Sequence, residues 1–287
     1  MSLPQSEIES TDVIICGCGP TGALLSAYLG LYSVKNVVLE REQEITQDPR
    51  GIALDEDGIR YLQGVGLYDK VFTEIGQSAY LSAQLTGGTS HPGVVFHKQP
   101  AMERGLREVI SSQPESEVRT GSTVISIEET KDSVVVTYKV SGETKRIRGK
   151  FLVGADGKTG FTRKNYLEPK GIIMESNPKL RFDYEAVWVA LNWKITPPTR
   201  ETHPEFPLWK LGFTSEQVYD SFFPKHFTFI CNPDRPSVCG RFGLTEDRLW
   251  RFEFVVKEGE DGLEMAKYEN VHKVVYPYLT HLRNKYK

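Results

Sequence analysis

Six residues, Gly17-Cys18-Gly19-Pro20-Thr21-Gly22, stand between an apolar run and a helix-forming run, and they constrain the fold more than any other part of the chain. The run before them, Thr11 to Cys16 (TDVIIC), is short and rich in Val and Ile. It reads as a strand buried on both faces, the kind found in a parallel sheet. The run after them, Ala23 to Tyr32, is apolar nearly all round, which predicts a buried helix. Asn36 to Glu40 (NVVLE) is a second short strand. Strand, glycine turn, helix and strand in this order make one parallel crossover.

In that setting each glycine has a physical task. Gly17 allows the tight turn, Gly19 lets a pyrophosphate come close to the backbone, and Gly22 lets helix and strand pack. Pro20 and Thr21 open the helix, whose first amides and positive dipole end favour phosphate. Glu40 lies 18 residues beyond Gly22, near the place where a carboxylate accepts hydrogen bonds from a ribose 2′-OH. A carboxylate there disfavours a 2′-phosphate, so the pocket is expected to prefer FAD or NAD to NADP. The motif by itself does not separate FAD from NAD, and a tight structural turn in another α/β fold is the alternative reading.

Further along, helices are expected near Asp55 to Gln63, near Tyr68 to Ile75 and from Pro100 to Ser111, the last with proline in its first turn. Tyr80 to Leu85 and Val94 to Phe96 read as strands. Thr123 to Glu128, Val134 to Val140 and Lys145 to Val153 alternate apolar and polar residues, with Ser141-Gly142 as a hairpin turn. After about residue 170 the texture changes. Tyr184 to Ile195, Phe227 to Cys231, Val238 to Phe242 and Trp250 to Val256 read as strands with no helical alternation. The expected fold class is α/β: a Rossmann-like domain binding FAD or NAD over 1–180 and a second, mostly antiparallel β-sheet domain over 181–287.

The 287 residues carry 35 Lys and Arg against 38 Asp and Glu, a net charge of −3. No global positive field exists for a phosphate backbone, so nucleic acid is not an expected partner. The basic cluster Lys145, Arg146, Arg148 and Lys150 alternates along a strand without interleaved aromatics and reads as a solvated face. The four cysteines, Cys16, Cys18, Cys231 and Cys239, lack zinc-ligand spacing and suggest a reducing compartment. The N-terminus has no secretory pattern, no apolar window is long enough to span a membrane, and the C-terminus carries no lipidation signal. A cytoplasmic protein without metal or membrane partner is the expectation.

Beyond the glycine turn, Arg41, the segment Pro49 to Asp55 (PRGIALD), the segment Lys98 to Glu103 (KQPAME) and Gly154-Ala155-Asp156-Gly157 follow in order. Together they resemble the flavin-dependent aromatic hydroxylases, the family of para-hydroxybenzoate hydroxylase and the phenol hydroxylases, in its fungal branch. The resemblance covers residues 12 to about 165 and is vaguer beyond. It implies FAD, with NADH or NADPH as co-substrate. Reduced flavin then reacts with O2, and oxygen passes to an electron-rich ring. It also implies that the match to Glu40 holds the adenosine ribose, that Arg50 lies along the cofactor near the flavin, that Gln99 contacts FAD, and that Asp156 serves both FAD and the nicotinamide. The candidate cofactor-binding residues are therefore Gly17, Gly19, Pro20, Thr21, Gly22, Glu40, Arg41, Arg50, Gly51, Gln99, Asp156 and Gly157.

Each has a plainer reading too: Arg41 as a solvated charge, Arg50 as a loop cap, Gln99 as a helix N-terminal partner, Asp156-Gly157 as a turn. The family usually has Ser where this chain has Gly160. Its later Gly-Asp fingerprint has no counterpart here, since Gly259-Glu260-Asp261-Gly262 is charged and lacks an apolar setting.

No catalytic residue is assigned. Tyr184, Tyr219, His203 and His226 are relay candidates only by residue type. Phe182, Tyr184, Trp188, Trp193, Phe206, Trp209, Phe213, Phe222 and Phe223 either line a flat aromatic pocket or form a sheet core. The expected partners are a small aromatic substrate and O2, with a homodimer allowed. Another FAD-dependent oxidoreductase or halogenase, or a non-catalytic flavin-binding remnant, is the alternative.

Overall fold

The computed structural model describes residues 8–48, 51–78, 93–174 and 186–280. The chain divides into two compact units, Met1–Ile75 with His97–Asn177, and Gly76–Phe96 with Pro178–Lys287. The expected strand Tyr80 to Leu85 lies outside the described residues.

The first unit holds a four-stranded parallel sheet. Its strands are β1 (Val13–Cys16), β2 (Asn36–Leu39), β3 (Ser116–Arg119) and, at the other edge beside β1, a strand at Phe151–Gly154. All four residues of β1 and of β2 are buried, as continuous apolar strands in a parallel sheet should be. Between β1 and β2 runs α1 (Pro20–Leu31). The sequence predicts a helix buried all round; instead its small face, Gly22, Ala23, Ser26 and Ala27, is buried, and Leu31 is half exposed. Small side chains let the helix axis approach the sheet, and Ser26 bonds Asn36 Oδ1 at 2.6 Å across that contact. Next come α2 (Glu56–Gly64), N-capped by the Asp55 carboxylate, and α3 (Gln99–Ser111). The helix expected at Tyr68 to Ile75 is one α-turn, Tyr68–Lys70, followed by a π-helical stretch, Val71–Ile75.

A second sheet stacks on the first. It consists of β4 (Thr123–Glu129), β5 (Val134–Val140) and β6 (Glu143–Gly149), antiparallel, with Glu9–Ser10 parallel at the edge. Ser141 and Gly142 both have positive φ, 51° and 83°, which is the turn a two-residue hairpin needs. Ile14, Cys16, Val37 and Leu39 from one sheet meet Val124, Val136, Tyr138 and Ile147 from the other in a shared core.

The single strand read over Lys145 to Val153 is two. After β6 the chain breaks at Lys150, and β7 (Phe151–Gly154) joins the parallel sheet beside β1. The Asp12 carbonyl accepts from both Lys150 N and Phe151 N, at 2.9 and 3.0 Å, and steers the chain from one sheet to the other. Of the basic cluster, Lys145 pairs with Glu143, Arg146 with Glu128 and Lys150 with Asp12, all largely exposed.

The second unit holds an antiparallel sheet in the order β8 (Trp188–Lys194), β11 (Leu249–Val255), β10 (Ser237–Phe242), β9 (Thr228–Ile230). Two helices that the strand-rich texture hides accompany it. One is α4 (Ser215–Phe222), which a Thr214–Gln217 capping box starts. The other is α5 (Tyr268–Thr280), whose Val271 and Val275 pack on Trp250, Phe252 and Phe254.

Candidate functional site

Where β1 ends, the chain must turn without a side chain in the way. Gly17 has φ +96°, and a Cβ there would lie 2.6 Å from the Ala155 carbonyl oxygen and 2.8 Å from Asp156 Cα. Gly17 N–H donates to Leu39 O at 2.8 Å, and Ala155 N–H donates to Cys16 O at 2.7 Å, so the turn is tied to the strands on both sides. A Cβ on Gly22 would overlap the Gly17 carbonyl oxygen, so the helix closes onto its own turn only with glycine there. Gly19 is the opposite case: nothing lies within 4 Å of where its Cβ would be. It is the N-cap of α1 and supplies no side-chain cap, and Pro20 occupies the first turn. The first amides of α1 are thus left without a capping side chain.

Beside this turn lies a cleft of about 680 Å³ within the first unit, in the range of small-ligand sites. Of the sequence candidates, Gly17, Gly19, Pro20, Thr21, Glu40, Arg41, Gln99, Asp156 and Gly157 line it. Gly22 sits behind the wall in the helix contact just described. Gly51 is exposed and is not among the lining residues, although its N–H donates to Gln99 Oε1 at 3.2 Å. Arg50 lies outside the described residues.

Glu40 is held by two backbone amides. Cys18 N–H donates to its Oε2 at 2.6 Å, and Glu42 N–H to its Oε1 at 2.8 Å. An ionised carboxylate has about four acceptor positions, so each oxygen keeps capacity for a further donor while the group is fixed in place. Arg41 lines the cleft with a side chain 74% exposed and its guanidinium paired with Glu42 at 2.9 Å. Gln99 is committed to the protein: its carbonyl takes Gly51 N–H, and its amide donates to Glu103 Oε1 at 2.7 Å. Asp156 Oδ2 accepts Thr162 N–H at 2.8 Å and so starts the helical turns at Thr162–Leu167. A Cβ on Gly160 would overlap the Asp156 carboxyl group. In this chain the backbone at Gly160 therefore packs directly on Asp156.

Among the lining residues that were not sequence candidates are Cys18, Glu103, Arg107 and Ser122. Cys18 is buried, and burial pushes its thiol up to about 11; burial and the nearby Asp156 push Cys16 to about 12. Neither is a ready nucleophile. Glu103 is 5% exposed. Ser122 Oγ and Arg107 Nε are buried with no hydrogen-bond partner among the described residues. The spacing Gln99, Glu103, Arg107 is i, i+4, i+8 on one helix face, a signal that could have found Glu103 and Arg107. Among the described residues no group of three His, Cys, Asp or Glu is placed to hold a metal, and no helix is long and apolar enough to cross a membrane.

In the second unit most of the named aromatics are core. Trp193 and Phe223 pack against the buried sheet face, and Trp209 with Phe206, Phe213 and Phe222 forms a separate cluster. Phe182 and Tyr184 lie outside the described residues. Tyr219 is buried with Arg241 stacked 3.8 Å over its ring, and burial raises its pKa. His203 and His226 are exposed.

Residues 10–195 match the FAD binding domain family. The chain is 28% identical over 286 residues to a 3-(3-hydroxy-phenyl)propionate/3-hydroxycinnamic acid hydroxylase of Paraburkholderia xenovorans, covering 94% of this chain and 40% of the relative. It is 32% identical over 177 residues to a probable NADH-specific resorcinol 4-hydroxylase of Rhodococcus jostii, covering 56% and 33%. Among solved structures it is similar to aklavinone-11 hydroxylase in a ternary complex with FAD and aklavinone. The TM-score there is 0.70 at 15% identity, over 96% of this chain and 51% of that one. The chain spans less than half the length of the curated relatives it matches.

Proposed function

The chain belongs to the FAD binding domain family, and from that premise we propose that it acts as a flavin-dependent monooxygenase, hydroxylating a phenolic or polycyclic aromatic small molecule with NADH or NADPH and O2. The observation that carries the reading is the cleft at the glycine turn. It combines open space over Gly19, uncapped amides at the start of α1 and a carboxylate, Glu40, fixed across from them. The donor set suits an adenine dinucleotide: amides for a diphosphate, a carboxylate for a ribose diol, and beside Glu40 the unpartnered Ser122 hydroxyl.

In this reading the turn Gly17–Gly22 cradles the diphosphate. Glu40 takes the ribose hydroxyls with the acceptor positions that Cys18 and Glu42 leave open. Arg41, at the rim, screens phosphate charge. Gln99 acts mainly by tying Gly51 to α3, and through it holds the wall formed by Glu103. Asp156 and Gly157 shape the wall beside Gly17, with the carboxyl oriented by Thr162 N–H. Arg50 belongs to the same proposed set by resemblance alone. Bound FAD supplies hydride acceptance and oxygen activation, chemistry no side chain offers. The names of the relatives support an aromatic substrate and a nicotinamide reductant.

The test is oxidation of NADH and NADPH by the purified chain, supplied with FAD, across a panel of phenols, hydroxyphenylpropionates and polycyclic phenols under ¹⁸O2. The reading expects substrate-stimulated oxidation with one labelled oxygen in the product. Halide-dependent products, or reduction that proceeds without O2, contradict it.

A further inference from the structure

Acidic side chains outnumber basic ones in the lining of the cleft. Glu40, Glu42, Glu44, Asp48, Glu103 and Asp156 line it, whereas Arg41 and Arg107 are the basic lining residues among those described. A diphosphate entering such a cleft needs a cation that the acids have not already claimed. Arg41 is a poor choice, being largely exposed and paired with Glu42, so solvent and its partner screen it.

Arg107 differs on each count. It projects from α3 one helical turn beyond Glu103, its Nε is buried, and that Nε has no hydrogen-bond partner among the described residues. Its guanidinium reaches the Cys18 thiol, inside the glycine turn itself. A thiol is a weak acceptor, and a guanidinium carries five N–H donors in a fixed fork that fits phosphate oxygens. A half-buried arginine with a buried, unpartnered Nε and a weak acceptor beside it, near uncapped helix amides, is arranged for an anion.

We propose that Arg107 is the cation that engages the diphosphate of FAD, opposite Gly19 and the first turn of α1. This rests on the reading that FAD occupies the cleft and adds the residue that offsets the cleft's acidity. Arg107 is a binding residue in this account and takes no part in proton or oxygen transfer.

The experiment is calorimetric titration of wild type, Arg107→Lys and Arg107→Met with FAD, ADP, adenosine and riboflavin. Circular dichroism and thermal melts check each fold, and the ADP titration is repeated over a range of salt. Arg107→Met is expected to weaken FAD and ADP by about 10- to 100-fold and to leave adenosine unchanged. Arg107→Lys keeps the charge but loses the fork, so it should fall between. The slope of ADP affinity against salt should be shallower in Arg107→Met than in wild type.

Undiminished binding of FAD and ADP by Arg107→Met overturns the inference. Equal losses for ADP and adenosine do the same, because they point to stacking on adenine or to a structural role. Should Arg107→Met fail to fold, Arg107→Lys decides: a selective loss of ADP over adenosine supports the inference, and unchanged ADP binding overturns it. A folded wild type that binds none of the four ligands overturns the cofactor reading and this inference together.

Discussion

The parallel sheet of the first unit and the antiparallel sheet of the second are each four strands wide, yet different kinds of residue hold them in shape. At the parallel sheet the decisive positions are ones where a side chain cannot exist. Gly17 and Gly22 are pressed against backbone atoms, and a single added methyl has no room. At the antiparallel sheet they are ones where a large side chain must exist: Trp250, Phe252 and Phe254 are buried to within 2%. The first kind of constraint shapes a backbone surface that a ligand can touch. The second fills volume and stabilises without specifying chemistry. Unit one is therefore expected to fail in binding when it is altered, and unit two in stability.

The largest effect should come from emptying the second core. Phe252→Ala is expected to destabilise the protein by about 3–5 kcal/mol in urea unfolding, through lost burial and the cavity left behind. A loss below about 1 kcal/mol would mean the sheet face collapses around the gap, and would break the contrast. Next, Gly17→Ala adds one methyl at φ +96°. It should cost about 1–3 kcal/mol of backbone strain and also abolish FAD retention on a desalting column. Retained FAD would show that the turn relaxes without losing its shape.

Glu40→Ala should separate the two properties more cleanly. FAD affinity is expected to fall by about 1–3 kcal/mol in a fluorescence titration, since ribose hydrogen bonds to a carboxylate are lost. The unfolding midpoint should move far less. Equal FAD affinity would remove Glu40 from the site.

The smallest effect concerns pH and lies in the second unit. The Arg235 guanidinium beside Glu260, with help from the Lys257 N–H, holds its carboxyl at about 2, against an ordinary 4.5. Because the folded value is depressed, the stabilisation is present above about pH 4.5. It is lost as the pH falls from there through about 2. Partial exposure screens the pair, so the effect is a fraction of the preceding ones. Wild type should lose its advantage over Glu260→Gln in urea midpoint across that window, and a constant difference would contradict the assignment.

What the sequence discloses follows the same division. The glycine turn, its two flanking strands and Glu40 are legible because backbone clashes leave few alternatives to glycine there. The change of sheet at Lys150 is hard to read, since β6 and β7 are separated by one residue and the bonds to Asp12 O that mark the break join distant parts of the chain. The role of Gln99 reads two ways in the sequence, and its bonds to Gly51 and Glu103 appear only when loop and helix meet in space. Arg107 and Ser122 look like ordinary polar residues until burial leaves Nε and Oγ without partners. Helix α5 hides in a strand-rich region because its apolar positions serve a sheet formed by distant residues.

The central claim is that FAD lies in the cleft at the glycine turn, against Gly19 and Glu40. Its most direct test is the visible spectrum of the purified 287-residue chain after incubation with FAD and desalting, with Glu40→Ala treated alike. The account predicts a flavin absorption that travels with the wild-type protein and is much reduced in the variant. A wild-type chain that is folded by circular dichroism yet emerges colourless after excess FAD would contradict it.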